Sequence, residues 1–154
     1  MTTFSLVYTL HVLAALVWVG GMFFTWMIVR PAVVAALQGP PRLHLWLQIL
    51  PRFFTWVWVA VVLLPITGVG MIQLQFTGFD TAPRYVQVMI GLYVVMTALF
   101  MRVHSLQLPE LRQAVQAEQW PEGVAVLGRM RRMMAVNLLL GLAVVAIAAA
   151  RPGF

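Results

Sequence analysis

The sequence predicts an all-α polytopic membrane protein, an antiparallel bundle of four transmembrane helices with both termini periplasmic. Three observations lead there. Of 154 residues, 62% are hydrophobic and 9% are charged, against the ~25% charged residues of soluble domains, and the mean hydropathy is +0.92. Four stretches, at about 4–29, 53–75, 85–106 and 130–150, reach the roughly 20 apolar residues that cross a bilayer. The arginines fall unevenly between them. Arg30, Arg42 and Arg52 flank the first connection, and Arg102, Arg112, Arg129, Arg131 and Arg132 flank the third. The second has only Asp80 and Arg84, so the positive-inside rule puts the first and third connections in the cytoplasm.

The spans occupy most of residues 1–154, which predicts a single integral membrane domain without a soluble enzyme module. The formal charge of +6 sits at the ends of apolar runs and not on a polar face with interleaved aromatics. It therefore reads as topology signal and excludes nucleic acid as a partner; the expected partners are the bilayer and a homo-oligomer or larger membrane complex. The absence of cysteine removes disulfides, thiolate ligands and cysteine chemistry. No nucleophile with a base, phosphate loop or carboxylate pair is visible, and enzyme activity stays open.

The first span has an uncharged start and a long apolar run, unlike a secretory signal, so it is expected to stay in the membrane. It contains His11, an ionisable group at membrane depth and hence a functional-site hypothesis by default. At 100° per residue, His11, Trp18, Met22 and Thr25 share one face, beside Ala14, Ala15 and Gly21. Small residues there let a neighbouring helix approach closely, and the face is expected to point into the bundle.

The first connection holds Pro40-Pro41, His44 and Trp46, and the third begins at Pro109 and has a polar face of Gln113, Gln116 and Glu118. Both are expected to form short interfacial helices. In the second span, Pro65, Gly68 and Gly70 should bend or loosen the helix and shape a pocket opposite His11. In the fourth, Asn137 is expected to bond a neighbouring helix. His104, beside Arg102, is expected to snorkel toward the headgroups.

Depths at about 1.5 Å per residue bring His11, Met71 and Met89 to similar heights on the periplasmic side. Two thioethers and an imidazole suit copper in its soft cuprous form, although methionine also fills cores. A bis-histidine haem is excluded by the same count, which separates His11 and His104 by roughly 17–20 Å along the membrane normal. A haem b on His11 would be five-coordinate or take Met89 or Tyr93 as second ligand, with Arg84 pairing its propionates.

Four motifs together, HVLAALVWVGG in the first span, Arg30-Pro31, the PRFFTWVW to TG stretch from Pro51 to Gly68, and RMRRMMAVNLLLG before the last span, resemble the copper resistance protein D (CopD) family and its small four-helix relatives. The resemblance implies a bacterial inner-membrane protein associated with copper uptake or tolerance, with His11 as its key position. The first span is also similar to that of HemJ-type protoporphyrinogen oxidases, which carry a b-type haem and a functional lysine; this chain has no lysine. Copper handling at His11, Met71 and Met89 is therefore the leading expectation. A haem electron-transfer or oxidoreductase protein using His11, Arg84 and Tyr93 is the alternative, and a non-catalytic accessory subunit a further one.

Overall fold

The computed structural model describes residues 2–76 and 78–151. Four long helices follow one another, α1 (Thr3–Ala36), α2 (Pro40–Gln75), α3 (Arg84–Gln116) and α4 (Trp120–Ala150), each apolar enough to cross a membrane. No strand occurs among the described residues. The protein is a multi-pass helical membrane protein.

Packing pairs α1 with α2 and α3 with α4. Neighbours run antiparallel: a Cβ on Gly68 would meet His11 and one on Gly70 would meet Val7, while Asn137 bonds Met96 and Gln107 bonds Met133. Thr3 and Ala150 consequently lie at one end, and the arginine-bearing turns at the other. Large apolar side chains such as Leu16, Trp56, Ile66 and Leu139 are exposed around the outside, as a surface solvated by lipid tails requires.

The helices are longer than their apolar cores. At ~1.5 Å per residue, 36 residues of α2 span about 54 Å, well beyond the ~30 Å hydrocarbon layer. Separate interfacial helices do not form: the first connection contracts to a turn at 37–39 and the third to one at 117–119, and the expected span limits of 4–29, 53–75, 85–106 and 130–150 all extend.

At Pro31 and Pro109 the helix continues because the turn before the proline is widened. A helical proline clashes with the carbonyl four residues earlier. For Pro31 that residue is Met27, inside a π-helical turn at Thr25–Val29, and for Pro109 it is Ser105, inside another at Val103–Gln107. The looser π turns accommodate the ring and the helix continues. Pro40 and Pro41 instead start α2, where a missing N–H costs nothing.

Gly39, at φ +70°, makes the sharp link from α1 to α2. The end of α3 closes with Gln119 N–H on the Ala114 carbonyl and Glu118 N–H on that of Val115. This is a Schellman pattern whose left-handed position is Glu118, at φ 56°.

The core has two parts. Within the membrane, Trp18 meets Tyr93 and Phe100 edge to face, both at 6.3 Å. At the arginine end, Leu43, Leu50, Leu111, Val126 and Met130 are almost wholly buried. Neighbouring side chains press on the backbone at three glycines: a Cβ on Gly21 would collide with the Phe53 ring, one on Gly123 would lie 2.9 Å from Leu43, and one on Gly141 2.9 Å from Val19. Asn137 Nδ2 donates to the Met96 carbonyl at 3.1 Å, the interhelical bond its place in an apolar span implied. Its Oδ1 is buried without a partner, and Asn137 is among the residues lining a cavity of about 20 Å³, room for a single water.

Candidate functional site

The predicted inward face of α1 is the buried one, with Ala14, Trp18, Met22 and Thr25 each at most 6% exposed. His11 continues that face two turns outward and is partly buried. Its Nδ1 lies 2.8 Å from Thr67 Oγ1 on α2, and its ring packs on Gly68, where a Cβ would stand 3.5 Å from Cε1.

This contact selects a tautomer. The Thr67 hydroxyl donates back to the Leu63 carbonyl at 2.7 Å, the common use of a helical threonine proton. The Thr67 oxygen is therefore an acceptor toward His11, with the Leu64 carbonyl a second, longer acceptor for the Thr67 hydroxyl at 3.2 Å. With the Thr67 proton on the Leu63 carbonyl, Nδ1 is the protonated nitrogen and Nε2 the one with a lone pair.

Register places the two methionines. Tyr93 Oη donates to the Val61 carbonyl at 2.6 Å and the Tyr93 ring meets Trp18, so Trp18, Val61 and Tyr93 share a level. Counting outward at ~1.5 Å per residue, His11 and Gly68 stand roughly 10 Å above it, Met89 roughly 6 Å and Met71 roughly 15 Å. Met71 thus lies about one turn outward of His11 and Met89 about one turn inward. Met71 follows Thr67 by four residues and Met89 precedes Tyr93 by four, so each shares the face of a residue that touches α1 or its partner. Helical side chains lean toward their own N-terminus. On α2 that inclines Met71 inward, and on α3 it inclines Met89 outward, both toward the level of His11.

The remaining candidates separate from this group. Tyr93 is committed through its hydroxyl to Val61, for a clear reason: Pro65 has no N–H, so the carbonyl four residues earlier lacks its helical partner, and in an apolar core it needs another. Arg84 is the first residue of α3, exposed at the outer mouth. His44 is exposed on α2, its ring 5.8 Å from that of Trp120.

His104 does not snorkel. It turns inward among Phe54, Trp58 and Phe100, with ring centroids 5.6–6.1 Å away, while Arg102 remains exposed. Trp58 Nε1 donates to His104 Nε2 at 3.4 Å, which occupies the lone pair a ligand would need. Nine residues of α2, roughly 13 Å, separate Trp58 from Thr67, so the two histidines belong to different places along the bundle.

Thr67 is the residue that sequence reasoning missed. A matching depth would have found it, since His11 and Thr67 both lie eight residues in from the outer ends of their helices at Thr3 and Gln75. No group of three or more histidine, cysteine or acidic side chains suited to a metal occurs among the described residues. The soft donors on α2 and α3 about one turn from the level of His11 are the thioethers of Met71 and Met89.

These features define a polytopic helical membrane protein with one histidine held at depth by a hydroxyl on a neighbouring helix. The chain belongs to the copper resistance protein D (CopD) family, whose model matches residues 47–151. The match takes in α3, α4 and most of α2, and begins beyond His11. No curated protein and no solved structure matches the chain significantly.

Proposed function

We propose that this protein handles copper at the periplasmic face of a bacterial inner membrane, binding it as a cuprous ion at His11 with Met71 and Met89 as thioether partners. The carrying observation is the bond between His11 Nδ1 and Thr67, which leaves Nε2 as a lone-pair donor. Family membership supports copper as the ion. The donor chemistry supports the cuprous state, because imidazole and thioether together favour a soft ion.

In this reading copper is cargo. Thr67 positions the imidazole, Met71 and Met89 supply exchangeable soft contacts, and Gly68 leaves room for the ring against α2. A bundle of four helices offers little internal path, so movement across the membrane requires a second copy or a partner.

Metal analysis and an absorption spectrum of the purified protein test the reading. The expected preparation holds stoichiometric copper, lost in His11→Ala, and shows no Soret band. A Soret band that vanishes in His11→Ala would replace copper with a b-type haem. Protein that holds neither, even after incubation with cuprous ion, would favour an accessory subunit.

A further inference from the structure

An unassigned feature lies at the opposite end from His11. A cavity of about 170 Å³ opens between the inner ends of α1, α2 and α4 and is lined by Arg30, Arg42 and Arg131, with Trp26 and Trp46, and by no acidic residue. One water needs roughly 10–15 Å³ on the same measure, so the space admits a polyatomic group. Three guanidinium groups around one space repel one another unless an anion joins them.

Local acids do not supply that anion. The ion pairs among the described residues both belong to Arg129, with Glu110 at 3.2 Å and Glu122 at 3.9 Å. Arg30 instead lies over the Trp26 ring at 4.3 Å, and its Nε is buried without a hydrogen-bond partner. Arg42 is fixed by Nε and Nη2 bonds to the Leu37 carbonyl and a longer Nη2 bond to that of Val34, which leaves Nη1 for a ligand. Arg131 is exposed at the rim. A buried guanidinium N–H left unpaired is costly, and the planar donor fork of arginine matches a phosphate.

Depth points to the source. Arg30 lies 27 residues along α1 from Thr3, roughly 40 Å, which matches the ~40–45 Å thickness of a bilayer with its headgroups. The two tryptophans suit the same interfacial layer, and basic pockets between spanning helices on the cytoplasmic side hold anionic headgroups. We propose that this cavity is a phosphate site, filled in the membrane by the headgroup of an anionic phospholipid and held by Arg30, Arg42 and Arg131.

The test uses the full chain, delipidated in detergent, with its thermal midpoint followed as phosphatidylglycerol, phosphatidylcholine or inorganic phosphate is added at matched ionic strength. Phosphatidylglycerol is expected to raise the midpoint more than phosphatidylcholine at equal mole fraction. Arg30→Gln with Arg131→Gln should lose most of that difference. Arg131→Gln alone, at an exposed position, should weaken phosphatidylglycerol binding by about tenfold, the effect of one charge-assisted bond. Arg129→Gln, outside the cavity, should retain it. Equal shifts from the two lipids, or an undiminished phosphatidylglycerol effect in Arg131→Gln, would overturn the proposal. A shift with inorganic phosphate but none with phosphatidylglycerol would overturn the lipid as occupant.

Discussion

The two intramembrane histidines have opposite surroundings. His11 meets a hydroxyl and a glycine on the facing helix, so one nitrogen is fixed and the other is free. His104 sits among three aromatic rings and accepts the Trp58 indole N–H, so its lone pair is already used. Depth in an apolar run marks both residues as unusual, but only hydrogen-bond polarity distinguishes a donor to a ligand from a packed core side chain. Burial of the imidazole is accommodated at one end by a hydrogen bond to a neighbouring hydroxyl and at the other by aromatic packing.

Replacing each histidine is the strongest way to break this contrast. His11→Ala is expected to abolish copper binding in an equilibrium titration of the detergent-purified protein, whereas His104→Phe should bind as the parent does. Next in size, Thr67→Val removes the oxygen that orients His11 while keeping shape, and should weaken copper affinity by about 10–100-fold, as loss of an outer-shell partner does. Copper affinity unchanged in Thr67→Val would remove the tautomer from the account.

Smaller effects fall on stability. Tyr93→Phe leaves the Val61 carbonyl without its hydroxyl and should cost about 1–3 kcal/mol in thermal or denaturant unfolding, with copper stoichiometry intact. The double change Tyr93→Phe with Pro65→Ala should recover most of that loss, because an alanine at this position restores the helical N–H. His104→Phe should cost no more than about 1–2 kcal/mol, since the new ring packs among Phe54, Trp58 and Phe100 and only the long indole bond is lost. Smallest, Glu118→Gly should stabilise the end of α3 by about 1 kcal/mol by relieving a left-handed non-glycine residue, with no change at either histidine.

The spans were legible because hydropathy over 20 residues is a direct physical requirement of the bilayer, and the buried face of α1 followed from its period. The helix ends were not. Pro31 and Pro109 suggest breaks, and the π turns that carry the chain past them depend on packing that no local pattern records. At the site, His11 stood out because an ionisable group among apolar residues is rare. Thr67 did not, since a helical threonine can satisfy its own proton on the preceding turn and so looks inert. The bond from Tyr93 to Val61 was readable in principle from the missing N–H of Pro65, but pairing it with Tyr93 requires the register between α2 and α3. His104 was misplaced for a similar reason: proximity to Arg102 suggested the headgroups, while Phe54 and Trp58 on α2 draw the ring inward.

The most direct test of the central claim is nitrogen NMR of histidine-labelled protein in micelles, recorded before and after addition of one equivalent of cuprous ion. His11 is expected to be protonated at Nδ1, and its Nε2 signal alone to move on metal addition while His104 is unchanged. A proton on His11 Nε2 in the metal-free protein, or a shift confined to His104, would contradict it.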